Sequence, residues 1–185
     1  LNTELRYTYR ISRRQSIAAR VMGGIAYAYG NASVVPYSEQ FYVGGANSIR
    51  AFTIRSIGPG RYHADESNQY SYIDQTGDIK LEANVEWRFN IFGDLHGAVF
   101  LDAGNVWLVR ADAARPGAEF TLKDFYDNIA LGTGIGLRYD LDILVLRLDM
   151  GIGLHAPYDT GRSGYYNITS FRKGLGFHFA IGYPF

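Results

Sequence analysis

Residues 80–91, KLEANVEWRFNI, alternate between polar and apolar side chains without a break. A period of two predicts a β-strand with one polar face and one apolar face. A helix is excluded because its period is 3.6 and because glycine is too frequent in these segments. The same alternation recurs at residues 129–141, 144–155 and 175–185 and, more weakly, at 3–11, 17–29 and 95–107. We therefore predict an all-β chain with seven strands.

The connections between these strands differ in length. Short polar links are predicted near Ser12 to Gln15, at Phe92 to Asp94 and at Asp140 to Asp142. Long connections cover about 30–77, 108–128 and 156–173. Short turns on one rim and long loops on the other are typical of a transmembrane antiparallel β-barrel of the outer membrane, and strands of about ten residues or more suit a tilted crossing.

The two faces of the strands support the same interpretation. The apolar faces carry bulky Leu, Phe and Tyr residues, and the opposite faces combine charges with glycines. Bulky groups against lipid and small or charged groups in the lumen fit a membrane barrel. The alternative is a soluble β-sandwich or lipocalin-like barrel, whose apolar face would pack inward. An aromatic girdle near the strand ends is predicted from Tyr7, Tyr9, Tyr27, Tyr29, Trp87, Trp107, Tyr139, Tyr183 and Phe185.

A seven-stranded sheet is incomplete as a membrane barrel. Bacterial single-chain barrels have even strand numbers, and an open sheet in lipid leaves backbone groups unpaired at two edges. The chain also starts at Leu1, without an initiator methionine or a signal-peptide pattern. We therefore expect a processed product or a fragment, with the missing strands on its N-terminal side.

Composition argues against several functional classes. The 18 basic and 18 acidic residues balance, so we expect no nucleic-acid partner. There is no cysteine, and the four histidines are scattered, so we expect no metal site and no cofactor. Ser163 and His155 lie near one loop without a recognisable third partner, and the Gly132-Gly134-Gly136 run lacks the helix of a phosphate loop. We expect no enzyme.

The segment FYVGGANSIRAF, residues 41–52, contains one arginine among apolar residues. Arg50 could point into external solvent. Alternatively, Gly44 and Gly45 permit a sharp turn that brings the loop back into the lumen. The alternation places Glu86 and Asp102 on the inward face, where one guanidinium would make charge-assisted, bidentate hydrogen bonds with two carboxylates.

Four segments together resemble the BamA/TamA superfamily of outer-membrane assembly factors, and they occur in the same order and spacing. They are FYVGGANSIRAF, GDIKLEANVEWRF, GAVFLDAGNVW and GLGFHFAIGYPF. The resemblance implies the C-terminal part of a barrel of about 16 strands that follows periplasmic POTRA domains. It also implies that the sixth loop folds into the lumen and that its arginine meets acidic residues on the next two strands.

Carried over to this chain, the implied lumen lock is Arg50, Glu86 and Asp102. The implied loop motif is Gly44, Gly45, Ile49, Ala51 and Phe52. Ala51 departs from the family pattern, which usually has glycine after the arginine. A backbone that needed positive φ or a close approach at this position would resist alanine.

The resemblance further implies that the last strand, about residues 174–185, pairs weakly with the first strand of the barrel and forms a lateral seam. Glycine lowers strand propensity and proline lacks a ladder donor, which fits a weak seam at Gly174, Gly176, Gly182 and Pro184. Equally, glycine could line a narrow lumen and proline could end the strand. Phe185 is also the terminal aromatic residue that many outer-membrane strands use as an assembly signal.

The expected function is therefore non-enzymatic insertion of β-barrel proteins into the bacterial outer membrane. Expected partners are membrane lipid, unfolded outer-membrane client proteins and periplasmic or lipoprotein accessory subunits. The alternatives are a passive porin or protein-translocation pore of related architecture, and a surface-exposed adhesive or structural barrel.

Overall fold

The computed structural model describes residues 1–31, 34–64, 71–169 and 174–185. It confirms the seven predicted strands. They are β1 (Asn2–Ser12), β2 (Gln15–Ile25), β3 (Ile79–Phe92), β4 (Leu95–Trp107), β5 (Ala130–Asp140), β6 (Val145–His155) and β7 (Leu175–Ile181). A 3-10 turn (Tyr37–Glu39) and a single helical turn (Ser71–Asp74) lie between β2 and β3.

The strands form one antiparallel sheet in the order β1-β2-β3-β4-β5-β6-β7. Each strand pairs with its neighbour in sequence, as in an up-and-down barrel wall. The tight turns all lie at one end, between β1 and β2, β3 and β4, and β5 and β6; we call this the short-turn end. The long connections lie at the other end.

The polar face of the sheet is the buried one. Glu86 is fully buried whereas its neighbour Val85 is 45% exposed, and Asp149 is fully buried whereas Leu148 is 50% exposed. A soluble sandwich requires the reverse arrangement, so that alternative is wrong. We call the face that carries Glu86 and Asp149 the inner face and the apolar face the outer face. No helix in the described ranges is long and apolar enough to span a membrane.

The long connection between β2 and β3 covers the inner face. Its apolar residues form a small core with the ends of β4 and β5 nearest the long loops and with the loop after β6. That core consists of Val43, Ile49, Ala51, Phe52, Ile57, Val106, Ala130 and Ala156. These contacts explain why a connection of this length carries valine, isoleucine and phenylalanine, which a freely solvated loop would not bury.

Three residues of the predicted aromatic girdle, Trp107, Tyr183 and Phe185, do not belong to it. The Tyr183 ring lies 4.6 Å from the guanidinium of Arg88 on the inner face. Trp107 is fully buried, because Phe120 and Phe125 of the β4–β5 loop cover its ring at centroid distances of 5.4 and 6.0 Å. Phe185 turns to the inner face, where its ring lies 5.2 Å from the Arg20 guanidinium and 5.4 Å from that of Arg88.

The last strand is shorter than the predicted 174–185. β7 ends at Ile181, and Gly182 follows with a φ of 85°, a conformation that suits glycine and turns the chain out of the ladder. The Gly182 amide still donates to the Val145 carbonyl at 2.7 Å. Pro184 is then buried on the inner side.

Candidate functional site

The loop between β2 and β3 reaches the wall through a tight turn at residues 44–52. Gly44 and Gly45 have φ values of 95° and 92°, which side chains rarely adopt. The Gly44 amide donates to Ser48 Oγ at 3.0 Å, and the Gly45 amide donates to the Phe52 carbonyl at 2.8 Å. A Cβ atom on Gly44 would overlap the Thr53 backbone. The two glycines therefore close the turn that carries Arg50.

Arg50 is fully buried and makes the densest set of contacts at this turn. Its Nε and Nη2 donate to the two carboxylate oxygens of Asp102 at 2.8 and 2.9 Å, and its backbone amide donates to Asp102 Oδ2 at 3.0 Å. Nη1 donates to Glu86. The guanidinium also lies 3.6 Å from the centroid of the Phe100 ring. These contacts fix both the side chain and the backbone of residue 50, and we call Arg50, Glu86 and Asp102 the loop anchor.

The carboxylates of the anchor are shared with other cations of the wall. Glu86 also accepts from Arg88 Nε at 2.8 Å and from Arg138 Nη2 at 3.0 Å. Arg138 Nη1 in turn donates to Asp149 Oδ1 at 2.5 Å, and Asp149 Oδ2 lies 3.8 Å from Arg50 Nη1. Buried ion pairs repay their desolvation best when their other hydrogen-bonding groups are satisfied, and among the described residues Arg138 Nε and Asp149 Oδ2 make no hydrogen bond.

A second group of polar residues holds the turn on its β2 side. Asn84 Nδ2 donates to the Ser48 carbonyl at 2.9 Å and to Asp102 Oδ1 at 2.8 Å. Ser48 Oγ donates to Glu82 Oε2 at 2.7 Å, and Arg20 Nε donates to Asn84 Oδ1 at 2.9 Å. The turn is thus bonded to β3 at three successive inward positions, 82, 84 and 86.

Strands β5, β6 and β7 meet the same turn with glycines. A Cβ atom on Gly151 would lie 2.6 Å from the Arg50 carbonyl oxygen and 2.8 Å from Ala51 Cα. A Cβ atom on Gly176 would lie 3.1 Å from the same oxygen. Gly132 lies directly beneath the Ala51 methyl group, with no room for a second one. Because these glycines have no side chain, the strands can lie directly against the loop backbone, and the Ala51 methyl group fits between them.

One side chain of β7 also contacts the turn. His178 Nε2 lies 2.7 Å from the Arg50 carbonyl oxygen. Because a carbonyl oxygen only accepts, Nε2 carries the proton and donates it. The residue that is anchored to β3 and β4 through its side chain is therefore held by β7 through its backbone.

The electrostatics of the anchor keep Arg50 charged. Burial alone would lower the pKa of its guanidinium, but the hydrogen bonds and negative charges of Asp102 and Glu86 outweigh burial and raise that pKa. The described residues contain no cluster of His, Asp and Glu that could hold a metal ion. Chemically, the arrangement is suited to holding a loop in place.

The residues singled out from the sequence fall into two groups. Arg50, Glu86 and Asp102 meet, and Gly44, Gly45, Ile49, Ala51 and Phe52 form or flank the turn that carries Arg50. The five residues predicted for the seam do not form one cluster. Gly174 packs near Ile168 and Gly176 lies under Arg50, whereas Gly182, Pro184 and Phe185 follow the end of β7.

Several residues at the site were not assigned a role from the sequence, namely Arg20, Ser48, Glu82, Asn84, Phe100, Arg138, Asp149 and His178. Alternation does place Asn84, Arg138, Asp149 and His178 on the inner face. Their pairing depends on strand register, for example Asn84 opposite Asp102, which no single-strand pattern contains.

Comparisons with known proteins agree with this architecture. The Omp85 superfamily domain matches residues 1–185. The outer membrane protein assembly factor BamA of Neisseria meningitidis serogroup B is 34% identical over 89 residues, which are 45% of this chain and 11% of that protein. The chain therefore spans a small part of this relative.

Two solved structures share the fold. BamA from Haemophilus ducreyi lacking POTRA domains 1–3 superimposes with a TM-score of 0.64 at 18% identity, covering 98% of this chain and 34% of the other. CdiB from Acinetobacter baumannii superimposes with a TM-score of 0.55 at 21% identity, covering 97% of this chain and 26% of the other. At these identities the similarity extends to the fold, in which the seven strands form part of a barrel wall.

Proposed function

Because this chain belongs to the Omp85 superfamily and is an outer-membrane β-barrel segment, we propose that it forms the C-terminal seven strands of a barrel that inserts other β-barrel proteins into the outer membrane. The complete barrel would have about 16 strands. The similarity to an outer membrane protein assembly factor supports this role. The mechanism is non-enzymatic and depends on main-chain pairing and on a loop held in the lumen.

The observation that carries the proposal is the loop anchor. Arg50 is fully buried between two carboxylates and is held from β3, β4 and β7. The loop is thereby fixed to strands at both sides of the described sheet. In the proposed mechanism the anchored loop keeps the inner face of these strands in one arrangement while the barrel opens elsewhere. Removing Arg50 would leave two buried carboxylates without their main partner, at a cost of about 3–5 kcal/mol.

The proposed opening is a lateral seam at β7. In the described part of the chain β7 pairs with β6 alone, so its other edge is available to a further strand. Its ladder ends at Ile181, and Gly182 and Pro184 do not continue it. A short edge strand makes few main-chain bonds, so its closing contact separates at low cost. An unfolded client strand would then add to the exposed edge and gain the main-chain hydrogen bonds.

The partners of this mechanism follow from its two surfaces. The apolar outer face lies against membrane lipid, and the β7 edge receives unfolded outer-membrane client strands. Periplasmic or lipoprotein accessory subunits would deliver those clients from the short-turn end, which faces the periplasm in this topology.

A disulfide across the seam tests the proposal in the intact protein. One cysteine is placed on the free edge of β7 and the other on the strand that closes the barrel against it. We expect insertion of a client barrel into proteoliposomes to stop, while the protein keeps its folded, heat-modifiable mobility. The matched control is a disulfide between Leu148→Cys and Phe179→Cys, which are register partners on β6 and β7 and should leave insertion unchanged. Continued insertion with the seam locked would contradict the proposal.

The alternative, a passive porin or protein-translocation pore, makes the opposite prediction for the same variant. Its conductance through the lumen would persist with the seam locked, and client insertion would be absent before and after cross-linking. Conductance in planar bilayers, measured alongside insertion, separates the two functions.

A further inference from the structure

A cavity of about 390 Å³ opens at the short-turn end of the sheet. Its lining contains five arginines and one histidine and no aspartate or glutamate: Arg10, Arg13, Arg14, Arg88, Arg138 and His96. Ser12, Gln15, Ser16 and Asn90 add further polar groups. We call this cavity the arginine mouth.

The arginine mouth opens on the inner face. Arg10, Ser16 and Arg88 are register neighbours across β1, β2 and β3, and Arg88 shares the inward parity of Glu86. The adjacent row, Asn90, His96 and Arg138, crosses β3, β4 and β5 in the same way. Ligands therefore reach the cavity from the aqueous side of the barrel and not from the lipid side.

The positive charges of this cavity are only partly neutralised. Arg138 bonds to Glu86 and Asp149, and Arg88 bonds to Glu86 and to the Phe185 carbonyl, so these two arginines are paired. Arg10, Arg13 and Arg14 are exposed, and their side chains make no hydrogen bond or ion pair within the described part of the chain.

The acidic residues at the short-turn end lie outside the cavity. Asp94 and Asp142 lie in the other two short turns, Asp140 ends β5, and none of the three lines the cavity. The buried Nε of Arg138 also lacks a partner among the described residues. The rim thus has a basic sector at the β1–β2 turn and an acidic sector at the β5–β6 turn.

We infer that the arginine mouth binds an acidic peptide segment, a short run of Asp or Glu residues that enters the barrel from the short-turn end. The guanidinium group presents paired donors that match a carboxylate. Like charges in a concave site with low-dielectric walls reinforce one another and attract anions. A membrane-anchored phosphate headgroup fits less well, because the cavity faces the interior while the acyl chains would remain outside.

Binding of a fluorescent octa-glutamate peptide to the intact protein in non-ionic detergent tests this inference. We expect fluorescence anisotropy to report saturable binding that weakens as salt rises to about 0.5 M. An octa-glutamine peptide should not bind. The double variant Arg13→Ser/Arg14→Ser should raise the Kd about tenfold or more, because two charge contacts are lost.

The matched control removes the same charge elsewhere. Arg6 bonds to Glu4 on β1 outside the cavity, and Arg162 bonds to the Ile168 carbonyl at the long-loop end. The variant Arg6→Ser/Arg162→Ser should keep the wild-type Kd. Both double variants change exposed residues. A heat-dependent shift in electrophoretic mobility checks that each variant is folded.

Three results would overturn the assignment. The first is a Kd that the Arg13/Arg14 double leaves unchanged or that the control double raises equally. The second is capture by vesicles containing phosphatidylglycerol that depends on Arg13 and Arg14 while peptide binding does not, which identifies a lipid surface. The third is displacement of the peptide by inorganic phosphate as effectively as by unlabelled octa-glutamate, which identifies a small-anion site.

A photoreactive group on the peptide gives an independent check in the wild-type protein. We expect labelling within residues 10–16. Labelling confined to the long loops would overturn the inference without any substitution.

Discussion

The two halves of the wall hold the same loop in different ways. Strands β2, β3 and β4 hold it mainly with charged and polar side chains, among them Arg20, Asn84, Glu86 and Asp102. Strands β5, β6 and β7 approach the loop backbone mainly through Gly132, Gly151 and Gly176. We call these the charged half and the glycine half of the wall.

Because one half uses side chains and the other uses close backbone contacts, the two halves tolerate different substitutions. In the charged half, truncating a side chain leaves a buried partner unsatisfied, so a loss of atoms is harmful. In the glycine half, adding one methyl group pushes against backbone, so a gain of atoms is harmful. A test that uses only truncations to alanine would therefore miss the contacts that Gly132, Gly151 and Gly176 make with the loop.

The largest effect is expected for Arg50→Ala. It should lower the stability of the barrel by about 3–5 kcal/mol, because Glu86 and Asp102 lose their shared cation while remaining buried. The measurement is the midpoint of heat modification on semi-native gels. Arg61→Ala, which removes an exposed arginine from the same loop, is the control and should have little effect.

A double-mutant cycle sharpens this result. Combining Arg50→Ala with Glu86→Ala should cost less than the sum of the single changes, because the two residues are in contact. Strictly additive losses of stability would show that Arg50 and Glu86 act independently. They would contradict the conclusion that the side chain of Glu86 holds the loop.

Gly151→Ala is the corresponding change in the glycine half. The added methyl group would lie within 2.8 Å of the backbone of residues 50 and 51, so the loop must shift, at a cost of about 1–3 kcal/mol. Gly23→Ala, on the outer face of β2 with nothing within 4 Å, is the control and should be close to neutral. Equal stability of the two variants would refute the close approach of the wall to the loop.

A pair of compensating substitutions tests the contact between Gly132, in the glycine half, and Ala51 in the loop. Gly132→Ala should destabilise the protein by about 1–2 kcal/mol, because its methyl group would overlap that of Ala51. Adding Ala51→Gly should restore most of the loss, because it removes the opposing methyl. If the double variant is no more stable than Gly132→Ala alone, the two residues do not compete for one space.

The smallest effect is expected for His178→Ala, which removes one hydrogen bond to the Arg50 carbonyl and should cost about 1 kcal/mol. Hydrogen exchange should show faster exchange of the Ala51 and Phe52 amides. His178→Gln retains a donor of similar reach and should recover part of the protection. Unchanged exchange in the alanine variant would mean that β7 does not hold the loop through this residue.

Much of the fold was predictable because a period of two is a direct consequence of strand geometry. Alternation located all seven strands and assigned Glu86 and Asp102 to the inner face. Register was not predictable, so the pairing of Arg138 with Asp149 or of Asn84 with Asp102 could not be read from single strands. The contact of Arg50 with Glu86 and Asp102 was predictable from the apolar residues and glycines around Arg50 and from the family resemblance.

Two local errors have identifiable physical causes. Trp107 was assigned to the membrane girdle, but the loop after β4 folds back and covers it, a tertiary contact that strand patterns do not contain. β7 was predicted to continue to residue 185, but Gly182 adopts a positive φ and ends the ladder. Alternation persists beyond that point in the sequence although the strand does not.

The contact between His178 and the Arg50 carbonyl joins positions 128 residues apart. Contacts of such long range form late, because the intervening chain must first be organised. The turn at residues 44–52 precedes β7 in the chain, so its hydrogen bond to His178 can form only once β7 is in place. Resistance of this turn to proteolysis would therefore report when β7 has paired with β6 during folding.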